Sequence, residues 1–172
     1  MKILLTEIAG KCGQFSCSEA LDTSLYDFEM QSLAEAGLLI RQQNEDTYIL
    51  SGTLRVLVKT ACDRCAKEIL LSVNREFRYV LRIGKELECT TERQCSDEDC
   101  EMLYLEEAAL DSKTILAEQL LLAIPRQRLC DQACKGICKE CGCNLNKKKC
   151  QCGESNADSP FAILKTLGTG AK

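Results

Sequence analysis

Histidine is absent from the 172-residue chain, and so is tryptophan. Without imidazole there is no Cys–His nucleophile pair, no HExxH zinc protease and no histidine general base, so most hydrolytic mechanisms are excluded. Any metal site must be built mainly from thiolates, which favours a closed structural site over a catalytic one. Aromatic residues make up only 5% of the chain, so aliphatic side chains must fill the core. Long apolar runs are missing too. The opening MKILLTEIAGKCG is broken by Glu7 and has no cleavage-like continuation, and the stretch Leu120–Ile124 is far too short to cross a bilayer. The expectation is a soluble cytoplasmic protein with no membrane partner and no small-molecule substrate.

What abounds is cysteine. There are 14, seven of them in CDQACKGICKECGCNLNKKKCQC, residues 130–152. In a reducing compartment such usage points to metal or redox chemistry before disulfides.

Patterning along the chain gives the frame. Residues 1–9 and 37–43 read as short strands, and the segment between them, SCSEALDTSLYDFEMQSLAEA, reads as partly helical. In TLRVLVKT, Leu54, Val56 and Val58 alternate with Arg55 and Lys59. In LSVNREFRYVLR, Val73, Phe77, Tyr79 and Leu81 alternate with Asn74, Glu76, Arg78 and Arg82. Both have the period of half-buried strands, so the ACDRCAKE between them becomes a hairpin tip that presents two thiols. Residues 85–107 carry nine acids and two bases, and read as a solvated insert ending in a strand at MLYL. LDSKTILAEQLLLAIP then predicts a helix with Asp111 as N-cap, an apolar face of Ile115, Leu116, Leu120, Leu122 and Ile124, and Pro125 at its end. DSPFAILKTLG predicts a second helix, with Ser159 as N-cap and Pro160 at its first position. The expected fold is α+β: an antiparallel sheet or partial barrel with a few helices and a C-terminal, zinc-ribbon-like module. The division falls at 125, with an α+β domain over 1–125 and a Cys-rich metal-binding module with its helix over 126–172.

Sorted by spacing, the cysteines form four close pairs: Cys62 with Cys65, Cys130 with Cys134, Cys138 with Cys141, and Cys150 with Cys152. A tetrahedral zinc takes four thiolates, and short-spaced pairs deliver two from one turn. Cys138, Cys141, Cys150 and Cys152 are close enough in sequence to enclose one ion. Cys62 and Cys65 are then left to meet Cys130 and Cys134 across the chain, for two zinc ions in all. Iron or an iron–sulfur cluster also takes four cysteines and is the less favoured occupant. A thioredoxin-like pair at Cys62 and Cys65 wants its first thiol at a helix N-terminus, where a strand pattern is found instead. Cys143 can replace one ligand in either site. Cys12, Cys17, Cys89, Cys95, Cys100 and Cys143 otherwise read as adventitious or weakly metal-binding.

Charge is uneven. The chain carries −4, yet residues 125–152 carry seven bases against two acids. Lys135, Lys139, Lys147, Lys148 and Lys149 are candidates for phosphate contact on RNA. Part of this charge offsets the formal −2 of a zinc ion with four thiolates, and no aromatic residue in the segment can stack on a base.

The strand–CDRC–strand unit, the helix closed by a proline, the segment CKGICKECGCNLNKKKCQC and the ending DSPFAILKTL resemble the YceD family of large ribosomal RNA subunit accumulation proteins. The resemblance spans about residues 35–168. It implies a non-enzymatic role in 23S ribosomal RNA accumulation, with ribosomal RNA or a large-subunit ribosomal protein as partner and no catalytic residues. The chain departs from the family pattern at Cys143, in the acidic insert, and in DSPF where Asp-Pro-Arg is common. Two other readings stand beside it: a thiol redox or metal-responsive regulator using Cys62 and Cys65, and a zinc-ribbon nucleic-acid module unrelated to ribosomes.

Overall fold

Alternation of apolar and polar side chains runs much further than the sequence windows above. The computed structural model describes residues 1–8, 10–85 and 101–152. Its strands are β1 (Lys2–Leu4), β2 (Cys12–Glu19), β3 (Phe28–Met30), β4 (Ala34–Asn44), β5 (Thr47–Ala61), β6 (Glu68–Ile83), β7 (Met102–Leu105) and β8 (Ala109–Asp111). A 3-10 turn covers Leu5–Ile8, and one α-helix, α1, covers Ser112–Ala123. Sheet dominates the described residues.

The main sheet has the order β2-β4-β5-β6-β7, with β3 also paired to β5. All its pairings are antiparallel except β6 with β7. The sheet is open, ending at β2 and β7, so among the described residues no barrel closes. β1 and β8 form a separate two-stranded sheet. The β5–β6 hairpin is the longest pairing of the main sheet, from Thr47↔Arg82 to Ala61↔Glu68. β3 and β4 lie end to end along one edge of β5. Ser32 bridges the gap between them: its hydroxyl accepts the Leu57 N–H at 3.0 Å, while Gln31 N–H donates to the Leu57 carbonyl at 2.8 Å.

The segment expected to be partly helical is a correction. Residues 16–36 hold the end of β2, all of β3 and the start of β4. Cys17 and Glu19 turn inward while Ser16 and Ser18 face water, which is a period of two. Asp22 then accepts the Ser24 N–H at 3.0 Å, making a local turn that competes with helix. At the start of the chain the expected strand is only three residues long before the 3-10 turn.

One face of the sheet is covered and supplies the core. Leu38, Ile40, Leu50 and Leu81 pack with Ile3, Leu5, Leu110 and Ile115. Leu54, Val56, Val58 and Val73 pack with Leu116 and Leu120. Helix α1 thus contributes to both clusters. Asp111 caps it as expected, accepting the Lys113 N–H at 3.1 Å. Its buried stripe is Ser112, Ile115, Leu116, Gln119 and Leu120. Leu122 is not part of it and is 59% exposed, because it lies roughly 200° around the helix from Leu120. Gln119 donates to the Tyr79 hydroxyl at 2.6 Å, and Ser112 donates to the Glu19 carboxylate at 2.7 Å, fixing the helix on the sheet. No described helix is long and apolar enough to cross a membrane. The acidic insert and the second helix fall largely or wholly outside the described residues; β7 is the insert's described strand.

Candidate metal centres

The hairpin tip is where the first site is built. Beyond the last pair, Ala61↔Glu68, the chain makes a six-residue loop closed by Cys62 N–H to the Lys67 carbonyl (2.8 Å) and Ala66 N–H to the Cys62 carbonyl (2.9 Å). Ala66 takes φ +55°, a left-handed turn that a residue with a side chain seldom adopts. Both thiols are buried. The segment after α1 docks on this loop. Asp63 N–H donates to the Arg128 carbonyl at 2.8 Å, and Arg128 N–H donates to the Asp63 carboxylate at 2.5 Å. The Arg128 guanidinium reaches Asp27 (2.5 Å), Asp63 (3.0 Å) and the Thr60 hydroxyl (2.9 Å). Its hydrogen bond to Asp27 leads in raising its pKa above the ordinary arginine range. Asp27 and Asp63 are held below the usual carboxylate range, each first by a hydrogen bond from Arg128.

This docking brings Cys130 and Cys134 to Cys62 and Cys65. The Cys62 and Cys134 sulfurs are 3.9 Å apart, those of Cys65 and Cys130 3.5 Å, and all four lie within 4.8 Å of one another. A regular tetrahedron of thiolates around zinc has sulfurs about 3.8 Å apart. A disulfide would need about 2.05 Å, and every described cysteine is free. Burial pushes the Cys62 thiol up, but the backbone N–H groups of Cys130, Arg64 and Cys65 outweigh it and bring the thiol down to about 6. At Cys134 burial is likewise outweighed, by the Asn146 side-chain amide (3.2 Å) and the Gly136 N–H. Cys130 is pushed up to about 12, first by its hydrogen bond with Cys65, with burial adding to the effect. Gly136 has φ +76°, and a Cβ there would stand 2.9 Å from the Arg64 carbonyl oxygen.

The second group is built by a knuckle. Gly142, at φ +69°, turns the chain after Cys141. Its N–H donates to the Cys138 carbonyl at 2.9 Å, and Cys138 N–H donates to the Cys143 carbonyl at 2.8 Å. Cys150 lies 3.3 Å from the Cys138 sulfur and 3.5 Å from that of Cys141, and Cys138, Cys141, Cys150 and Cys152 are all within 4.8 Å of one another. This group is half-buried to exposed. Cys141 is brought down to about 6, first by the Cys143 N–H. Cys152 is pushed up to about 12, first by donating to Cys150. In the two groups the amides named above favour the thiolate form at Cys62, Cys134 and Cys141, while hydrogen bonds to neighbouring sulfurs favour the thiol form at Cys130 and Cys152. A divalent cation would displace the retained protons. The module is built from turns with one isolated bridge, Ile137↔Asn144, rather than the strands of a ribbon.

The eight cysteines read from spacing therefore fall into the two groups expected. Cys143 is not one of the four mutually close sulfurs of the second group; its neighbour Cys141 is the first cause, with burial next, of a thiol pushed up to about 12. Cys12 and Cys17 sit on β2, apart from both groups, and Cys89, Cys95 and Cys100 lie outside the described residues. Lys135, Lys139, Lys147, Lys148 and Lys149 are all exposed. A groove beside the first group is lined by Lys147 with Lys67 from the hairpin tip, a base not singled out from sequence. Arg128 and Asn146 were also missed. Asn146 ties the loop between Cys143 and Cys150 to the first group: its carbonyl accepts the Lys135 N–H at 2.8 Å while its amide donates to Cys134. The Asn-Leu-Asn between Cys143 and Cys150 was the available signal for it.

A sheet carrying two four-thiol groups defines a Cys-rich, zinc-compatible class of small protein. Residues 50–168 match the family model described as Large ribosomal RNA subunit accumulation protein YceD, and the chain belongs to that family. It is also similar to the Large ribosomal RNA subunit accumulation protein YCED homolog 1, chloroplastic, of Arabidopsis thaliana, at 27% identity over 139 residues. That alignment takes in 69% of this chain and 43% of the relative, so the chain spans less than half the relative's length. No solved structure matches it.

Proposed function

We propose that this chain is a non-enzymatic factor supporting accumulation of large-subunit ribosomal RNA, acting in the cytoplasm, with a zinc ion in each four-cysteine group. The observation that carries the reading is the pair of four-sulfur groups in a chain of this family. Four sulfurs within 4.8 Å of one another match the spacing around one tetrahedral ion better than the wider spacing around an iron–sulfur cluster, which favours zinc over that alternative. Thiolate donors with inward-pointing N–H groups suit zinc, a d¹⁰ ion that asks only for tetrahedral geometry. The ligands are Cys62, Cys65, Cys130 and Cys134 for the first ion, and Cys138, Cys141, Cys150 and Cys152 for the second. When bound, zinc supplies cross-linking rather than chemistry: it ties the hairpin tip to the segment after α1.

The exposed lysines of residues 135–149, with Lys67, form the face offered to ribosomal RNA. Depletion of the protein lowers mature 23S relative to 16S RNA, and metal analysis of anaerobically purified chain finds two zinc ions. Unchanged RNA ratios would remove the biological half of the reading. A metal-free protein with a reversible Cys62–Cys65 disulfide would replace it with a redox regulator.

A further inference from the structure

The two edges of the main sheet are finished differently. β7 is four residues long, with Glu101 before it and Glu106 and Glu107 after it. A short edge strand flanked by charge resists the addition of another chain. β2 lacks both devices. It runs for eight residues, Cys12–Glu19, and among the described residues it pairs with β4 alone. Its register with β4 is unbroken from Cys12↔Arg41 to Glu19↔Ala34, so no bulge twists this edge away. Cys12 to Ser18 hold no charge and no proline. Glu19, at the end of the strand, is engaged by Ser112. We propose that β2 is a dimer edge, pairing antiparallel with β2 of a second copy of this chain about a two-fold axis at Phe15.

The strand itself selects that occupant. Another chain must bring an extended segment of like length without repelling charge, and every copy carries one in β2. A two-fold axis normal to the sheet sets residues of one face opposite residues of the same face. Centred on Phe15, it pairs the whole uncharged run: Cys12 with the partner's Ser18, Gly13 with the partner's Cys17, Gln14 with the partner's Ser16, and Phe15 with its own counterpart. Lys11, just before the strand, then stands opposite the partner's Glu19, so the charges flanking the run are complementary at both ends. The Phe15 ring lies back over Gly13, where a Cβ would stand 2.8 Å from it, and packs half-buried at the rim of the core. The second ring covers that rim as an aromatic cross-strand pair. The contact is isologous and closes after two copies, leaving the acid-flanked β7 edges outermost. This goes beyond the proposed function and does not depend on the metal.

The test is sedimentation velocity of the full chain over a concentration series, with charge placed at Gln14 and Ser16, both exposed. Wild type passes from monomer to dimer as concentration rises. Gln14→Lys with Ser16→Lys sets lysine against lysine at two positions in the dimer and weakens association by about ten-fold. Gln14→Glu with Ser16→Glu does the same with carboxylates. Mixing the two variants in equal amounts sets lysine against glutamate and restores the dimer, which chains that had merely lost their fold could not do. Amide exchange of residues 12–18 slows with concentration in wild type, and far less in either variant alone. A wild type that stays monomeric, a lysine variant that dimerises as tightly as wild type, or a mixture that fails to recover each overturns the pairing. None of these outcomes touches the metal or RNA readings.

Discussion

Asp63 and Arg128 hold each other twice through the backbone: the Asp63 N–H binds the Arg128 carbonyl, and the Arg128 N–H binds the Asp63 carboxylate. The guanidinium adds a third link to Asp63 and others to Asp27 and Thr60. This clasp holds the segment that carries Cys130 and Cys134 against the hairpin tip. Arg128→Ala should destabilise the chain by about 1–2 kcal/mol in urea unfolding, the modest size reflecting the exposure of Asp27. Arg128→Lys should recover little, because an ammonium cannot span the three acceptors that the planar fork reaches. Equal stability of wild type and Arg128→Ala would show that the clasp is incidental.

The same clasp sets an acid dependence. Asp63 and Asp27 lie below the ordinary Asp value of 3.8, chiefly because Arg128 hydrogen-bonds to them. For a depressed carboxylate the added stability is complete above the unfolded value. It is lost as pH falls through the lowered folded value, where the native state too takes up protons. The metal-free protein should therefore lose stability below about pH 4 more steeply than Arg128→Ala does, measured as the unfolding midpoint across pH. Parallel curves would argue that other carboxylates dominate.

Chelation should separate the two ions. The first group is largely buried between the hairpin tip and the docked segment, while Cys141 and Cys152 of the second are exposed. Release of zinc to an excess of chelator is expected in two phases, the faster belonging to the second group. Cys141→Ser should abolish the fast phase and Cys65→Ser the slow one. A single phase in wild type would mean that burial does not govern release.

Asn146, in the loop between Cys143 and Cys150, supports the first group. Its amide donates to the Cys134 sulfur at 3.2 Å, stabilising that thiolate, and its carbonyl holds the Lys135 N–H. Removing a group that orients a ligand typically weakens metal binding about 10–100-fold. Asn146→Ala should fall in that range for the first ion in chelator competition. Asn146→Asp should be no better, since it keeps the acceptor for Lys135 but loses the donor and sets a carboxylate beside thiolates.

How much of this was legible follows from where each signal lives. The β5–β6 hairpin could be read because Leu54, Val56, Val58, Val73 and Tyr79 alternate with exposed polar residues, and burial on one face imposes that period. The close cysteine pairs could be read because ligand spacing is a local property of knuckles, whereas the meeting of Cys62 and Cys65 with Cys130 and Cys134 followed only from what the compact group left over. β2 and β3 could not. Their inward residues include Gly13, Cys17 and Glu19, which carry little apolar signal, and β3 is held by Ser32 bridging to a strand 25 residues away. Leu122 misled because the run LLLAI has apolar residues on every side, so only the contacts of α1 reveal which of them are buried. Arg128 looked like one more base in a basic segment, and only the fold brings Asp27 and Asp63 to it.

Charge reversal bears on the RNA-facing surface. Lys147, Lys148 and Lys149 are exposed and adjacent, and Lys147 shares its groove with Lys67. If they meet phosphates, each contact releases a counterion, and for single strands the slope of log affinity against log salt changes by about 0.7 per contact. Substituting all three by Glu should therefore weaken binding of a 23S fragment and reduce the slope by up to roughly 2, provided that each lysine makes one contact. Zinc content should stay at two, because none of the three is a ligand; this separates loss of an RNA surface from collapse of the module. Lys67→Glu alone should lower the slope by about a third as much. Unchanged slopes in both variants, with zinc retained, would assign these lysines to balancing the thiolate charge and leave a ribosomal protein as the partner to seek.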